Sequence, residues 1–240
     1  MKNFSLMVLA AVVALALAPA ALAESEGASA EIKGVFYVTP KIGFSSLTGK
    51  VEGESASRSV VPFGLAVGYD FNPVRVELEY AYRGKKEFGN GTQEGVPYYD
   101  SSGEVLLDYV DVAQKFKLGV QSFFLNGYYD IHNASSITPY VGLGLGLAKI
   151  SYNWTALVYN VPGTGEEVPF DASGSQTKFA WNIGAGAAWQ FSDSVALDLG
   201  YRYANFGKFT EKGQNERIRW ESNEIKTSAN EVMLGLRFSF

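Results

Sequence analysis

The chain has 240 residues, of which 14% are aromatic and 26 are glycine, with no cysteine and a formal net charge of -5. The lack of cysteine excludes disulfides, thiolate metal centres and a lipid-modified cysteine, and the mild acidity removes the basic surface that nucleic-acid binding needs. No stretch beyond the N-terminus approaches the about 18 uninterrupted apolar residues of a membrane helix, so a membrane-crossing chain of this kind must cross as strands.

The N-terminus carries Lys2, an apolar run from Leu6 to Ala18, and Ala21 and Ala23 flanking Leu22 ahead of Glu24. That pattern is an export signal, and its apolar run falls short of the about 20 residues of a spanning helix. Residues 1–23 are predicted as a signal peptide, 24–33 as a short periplasmic segment and 34–240 as the folded domain.

Period-two alternation marks eight segments. In Val35–Ser45, Phe36, Val38, Ile42 and Phe44 oppose Tyr37, Thr39, Lys41 and Gly43, with Pro40 weakening the pattern. Val60–Phe71 alternates cleanly, and a tight Asn72-Pro73 turn leads to Val74–Arg83, where Val76, Leu78, Tyr80 and Tyr82 oppose Arg75, Glu77, Glu79, Ala81 and Arg83. Gln114–Asp130 starts with Phe116, Leu118 and Val120 on its greasy face, which puts Lys117 on the polar one. Its phase blurs around Ser122–Leu125, where a bulge is predicted.

Ile137–Asn153 sets Val141, Leu143, Leu145 and Leu147 against Gly142, Gly144, Gly146 and Ala148. Lys178–Phe191 and Val195–Phe206 follow, joined through Ser192-Asp193-Ser194. The last segment, Ala229–Phe240, places Val232, Leu234, Leu236, Phe238 and Phe240 on one face and Met233, Gly235, Arg237 and Ser239 on the other.

The connections alternate between long (46–59, 84–113, 154–177, 207–228) and short (72–73, 132–136, 192–194). Short turns and long loops must then lie at opposite ends. This is the layout of an all-β, eight-stranded antiparallel up-and-down transmembrane β-barrel, with periplasmic turns, extracellular loops and both termini in the periplasm. Lipid demands an apolar exterior, while small and polar side chains fill a narrow eight-stranded interior. A soluble, lipocalin-like barrel is the alternative, and it would bury Leu143 and Leu145 instead.

The polar face collects Lys41, Arg75, Glu77, Glu79, Arg83, Lys117, Asp198, Arg202 and Arg237 into a predicted lumen network. Unpaired ions there would be costly, and Asp198 and Arg237, at similar depth on adjacent strands, are predicted to form a salt bridge. The network reads either as a plug or as a gate to a small pore, with the plug favoured. Tyr69, Phe71, Tyr80, Tyr82, Trp189, Phe191, Tyr201, Tyr203 and Phe206 suit aromatic girdles at the membrane interfaces.

The run from Gly142 to Gly146 keeps a spacing of two within a strand, unlike a phosphate-binding loop. The sole histidine, His132, falls in a predicted periplasmic turn, which leaves a serine-histidine-acid site without support. Glu94, Asp100, Glu104, Asp108 and Asp111 are irregularly spaced for a metal. No enzymatic activity, cofactor or metal centre is expected. Tyr98, Tyr99, Trp154, Tyr159 and Trp220 are weaker candidates for stacking on carbohydrate at the rim.

Three stretches, SITPYVGLGLGLAKI at 136–150, FAWNIGAGAAWQFSDSVALDLGYRYANFG at 179–207 and NEVMLGLRFSF at 230–240, resemble the opacity-protein and outer membrane protein A-like β-barrel superfamily. The resemblance implies a surface-exposed barrel in the bacterial outer membrane, in a family that includes adhesins, surface antigens and structural proteins. It also implies that the terminal aromatic, Phe240, with Phe238, is an assembly signal. The implied partners are outer-membrane lipids and lipopolysaccharide, the barrel assembly machinery and a host or surface ligand at the loops, with no nucleic acid. A structural or adhesive surface role is one reading and a narrow channel for ions or small solutes is the other.

Overall fold

The computed structural model describes residues 34–99, 105–159, 168–210, 212–214, 219–221 and 224–240. The predicted signal peptide and the 24–33 segment lie outside these residues. The described strands are β1 (Val35–Val51), β2 (Glu54–Val60), β3 (Pro62–Asp70), β4 (Val74–Tyr99), β5 (Val105–Asp130), β6 (Ile137–Tyr159), β7 (Val168–Ser192), β8 (Val195–Phe209), β9 (Lys212–Gln214), β10 (Arg219–Glu221) and β11 (Ile225–Ser239).

Alternating side chains make each long strand two-faced, and the strands satisfy their backbone groups against one another all the way round. The sheet runs β11-β8-β7-β6-β5-β4-β3-β1-β2, and β11 also pairs with β1, which closes it into a ring. Ile42↔Phe63 and Ser45↔Val60 lie in one register, so β3 and β2 are two lengths of a single wall strand. The ring has eight antiparallel wall strands, and closure leaves no edge to meet hydrocarbon.

The greasy face points outward. Leu143 is 60% exposed, Phe179 61% and Ile183 57%, while Ala148, Ala180 and Ala204 are buried. An exposed apolar surface of this extent belongs against lipid and would be a liability in water. The lipocalin-like alternative is thereby set aside.

Three expectations are corrected. The connections 46–59, 84–113 and 154–177 are largely strand: β1 and β2 meet through Glu52 (φ 48°) and Gly53 (φ 97°), a two-residue turn whose positive dihedrals match the twist of a hairpin. The 207–228 connection contains the short β9–β10 pair. No bulge occurs at Ser122–Leu125, where β5 keeps one register with β6 from Asp111↔Tyr159 to Asp130↔Tyr140; the irregularities of the β4–β5 ladder lie further along β4, the first between Arg83 and Lys86.

The third correction concerns the phase of β5. Leu118, Val120, Ser122, Phe124 and Asn126 are all buried inside, and Lys117 is exposed on the outer wall. The rule of greasy side outward holds where lipid surrounds the wall. At Lys117 the outer neighbours are Glu87 and Asn153, so the surroundings there are polar and the apolar residues turn inward. Phe206, placed in a girdle by the sequence, is likewise buried in the lumen because it shares the parity of Asp198, Arg202 and Ala204.

Candidate functional site

Two features could carry function, the lumen and the extracellular wall. At the end near the short turns, Arg75 grips Asp130 (Nε to Oδ2 2.8 Å, Nη2 to Oδ1 2.9 Å), and its guanidinium lies against both Tyr128 and Tyr140, 4.8 and 4.9 Å from their ring centroids, the two rings packing edge to face 5.5 Å apart. Arg237 makes a two-pronged contact with Asp198 at 2.9 Å through both nitrogens and sits 5.4 Å from the Tyr37 ring.

Deeper in, six charges alternate in a chain. Lys41 donates to Glu77 (2.5 Å) and Glu79 (2.8 Å), Arg202 to Glu79 (2.6 Å) and Glu231 (2.8 Å), and Arg83 to Glu231 (2.6 and 2.8 Å). Arg83 also donates to Ser122 Oγ at 2.9 Å and stacks over Phe206. Five of these groups are buried and Lys41 is partly so, and each ion faces an opposite charge, the arrangement that offsets desolvation in a narrow interior. A cavity of about 50 Å³ lies among Lys41, Arg75, Glu77, Glu79 and Tyr128, room for a few waters and for no larger solute.

Above the charges the lumen is apolar. Leu47, Val60, Leu118, Val120, Phe124, Ile150, Phe206 and Phe209 form one buried cluster on the extracellular side of the ionic layer. The barrel is therefore stoppered twice, by an ionic layer and by a hydrocarbon layer.

Of the sequence-predicted network, Lys41, Arg75, Glu77, Glu79, Arg83, Asp198, Arg202 and Arg237 converge in this interior, and the Asp198–Arg237 pair is formed. Lys117 stands apart on the outer wall. Sequence reasoning missed Asp130, Tyr128, Asn126, Asn182 and Glu231. Glu231 lies two residues before Met233, on the arginine face of the last strand, and that periodicity could have found it; Asn126, Tyr128 and Asp130 were hidden by the unassigned phase of β5. Phe240 pins the chain end, its N–H donating to the Phe36 carbonyl at 3.0 Å with the ring exposed; Phe238 points outward between Val38 and Val195.

The wall is lopsided. β4, β5, β6 and β7 contain 26, 26, 23 and 25 residues, against 15 each in β8 and β11. A bilayer takes about 9–11 residues of a tilted strand, so four adjacent strands rise well clear of it. Trp154 is partly buried in this wall and donates from Nε1 to Gln114 Oε1 at 3.2 Å. The side chains of Tyr98, Tyr99, Tyr159 and Trp220, and of Glu94, Asp100, Glu104 and Asp108, lie outside the described residues. Among the described residues no His, Asp and Glu side chains converge in a metal-binding group. His132 is exposed in the turn after β5, at the end opposite the wall.

Comparison with known proteins agrees with this architecture. The chain is 29% identical over 266 residues to outer membrane protein PagN of Salmonella typhimurium, with both chains covered in full. It is 26% identical to a candidate adhesin of Rickettsia canadensis, over 72% of this chain and 74% of that one. The solved structure of Neisserial surface protein A has the same fold at 21% identity, with a TM-score of 0.50 and coverage of 90% of this chain and 100% of that one. Residues 7–238 match the model of the outer membrane protein beta-barrel domain, and the chain belongs to that family, an integral β-barrel protein of the bacterial outer membrane.

Proposed function

We propose that the protein is a surface adhesin that binds its ligand on the extracellular wall of β4–β7, and that it works by attachment, with no catalysis and no conduction. The observation that carries this reading is the combination of a doubly stoppered lumen with four strands of 23–26 residues on one side. Material spent on height outside the membrane, above an interior filled with side chains, suits presentation. The likeness to a candidate adhesin supports the same reading.

Lipopolysaccharide and outer-leaflet lipid are the proposed surroundings, the barrel assembly machinery the proposed partner during insertion, and a host or surface molecule the proposed ligand. Phe238 and Phe240 are the proposed assembly signal. The test is adherence. A non-adherent bacterial strain expressing the protein is expected to bind cultured epithelial cells, and replacing residues 92–112 by a two-residue turn is expected to abolish binding while the heat-modifiable gel shift is kept. Equal adherence with and without the protein would refute the proposal. Unchanged lipid A by mass spectrometry is expected in the same cells, and altered acylation would show an enzyme instead.

A further inference from the structure

The outward apolar surface ends, on the side of the wall, at Phe44, Val61, Tyr82, Phe123, Leu147 and Phe179; the next outward positions are Ser46, Ser59, Lys85, Gln121, Lys149 and Thr177. This boundary is where hydrocarbon gives way to headgroups. The first register shift of β4 falls on it. Between Arg83 and Lys86 the strand slips register against β5, and the slip turns two successive lysines, Lys85 and Lys86, into exposed positions.

A groove of about 270 Å³ opens there on the outer wall, with Phe44 and Val61 on its membrane side, Ser59 in its flank, and Lys85 and Lys86 above. Phe44 and Val61 are each more than half exposed. The groove is held in shape from both sides. Arg58 donates to the carbonyls of Glu87 and Phe88 at 2.9 and 3.2 Å, tying β2 to the far side of the slip. Lys85 lies across Gly119, where a β-carbon would stand 2.8 Å from its Cγ, and its ammonium donates to Asn153 Oδ1 on β6. Lys117 and Lys149 continue the basic run over β5 and β6, with Glu87 opposite Lys117.

Elsewhere on the wall charge is balanced differently, as at Lys208, whose exposed ammonium pairs with Glu224 at 2.9 Å. The groove by contrast joins apolar side chains facing the membrane to two successive exposed lysines at headgroup height, Lys86 at its rim and Lys85 reaching over β5 to Asn153. A phosphate carried on an acylated headgroup matches that pattern, and the phosphorylated lipid proposed above for the outer leaflet carries its phosphates on an acylated sugar. We propose that this groove binds the phosphorylated headgroup of an outer-leaflet glycolipid, with the phosphate on Lys85 and Lys86 and the first part of an acyl chain against Phe44 and Val61. The inference rests on the contact with lipopolysaccharide proposed above and gives it a place; it is independent of the adhesive ligand.

The test is native mass spectrometry of the full mature protein in nanodiscs doped with hexa-acylated lipid A bearing two phosphates, against the same lipid with its phosphates removed. The unaltered protein is expected to retain the phosphorylated form and to bind the dephosphorylated one about tenfold more weakly or less, since each lysine near an anionic headgroup adds to retention. The double variant K85Q/K86Q is expected to show the same loss, and K50Q/K226Q, on the β1–β11 side, to bind as the unaltered protein does. Heat-modifiability verifies that each variant is folded. Retention of lipid A by a folded K85Q/K86Q protein would overturn the groove as the site while leaving a lipopolysaccharide contact elsewhere, and no retention by the unaltered protein would overturn both. Displacement of lipid A by millimolar inorganic phosphate would overturn the lipid assignment in favour of a free-anion site.

Discussion

Arg83 and Glu231, 148 positions apart, meet in a fully buried two-pronged pair at 2.6 and 2.8 Å. Glu231 also accepts from Arg202 at 2.8 Å, so one carboxylate on the last strand answers two guanidinium groups. Replacing it with alanine leaves Arg83 without a counter-charge in a closed interior. The expected cost is about 3–5 kcal/mol, read as a lower urea midpoint in lipid vesicles. The double variant Arg83→Met with Glu231→Leu is expected to recover much of that loss, because a buried pair replaced as a unit leaves no bare ion.

The two-layer stopper gives a second expectation. Purified protein in planar bilayers is expected to be electrically silent, and Glu77→Gln or Arg75→Gln alone is expected to remain so, because the buried cluster of Leu118, Val120, Phe124 and Phe206 still lies above the charges. Stable unitary currents that change with either substitution would establish a channel.

Leu143 marks the lipid face, and Leu143→Lys would put an ammonium into hydrocarbon. The expected destabilisation is about 2–4 kcal/mol for a site near the bilayer midplane, measured by the same urea titration. Gly146, three residues on and facing inward, admits no β-carbon because it would fall on the backbone carbonyl of Phe123. Gly146→Ala is therefore also expected to lower the urea midpoint, by forcing β5 and β6 apart.

Deleting Phe240 removes the hydrogen bond to Phe36 and the exposed terminal ring. Less folded protein is expected in the outer-membrane fraction, judged by the heat-modifiable band. An unchanged amount would show that Phe238 suffices.

Strands and facing were legible where lipid dictated them. Val141 to Leu147 and Phe179 to Phe191 alternate with small residues because one side meets acyl chains, and their orientation follows. Above the bilayer that constraint vanishes. Leu118 and Val120 turn inward while Lys117 turns outward, reversing the expectation, since polar surroundings reward the opposite arrangement. The same loss of contrast made the upper halves of β4–β7 look like loops: Ser, Thr, Gly and Asn fit a solvated two-sided strand as well as a turn. In the lumen, single charges were visible by parity, whereas their pairing depended on which strands are neighbours or lie across the barrel. Asp198 and Arg237 sit on adjacent strands and could be matched in advance; Arg83 and Glu231 could not.

The β6–β7 ladder keeps an unbroken register from Ile137↔Trp189 to Val158↔Val168, so about 35 Å of paired strand continues beyond Leu147 and Phe179 at about 3.3 Å per residue. A ligand seized at its crest grips a stiff lever. Little chain freedom has to be frozen on contact, unlike capture by a slack tether. A pull on that ligand would run along the strands and load the cross-strand hydrogen bonds in shear, many at once, down to a cylinder anchored in the membrane. On the adhesive reading proposed above, the tall side of the barrel is the part that would carry tension from the cell surface.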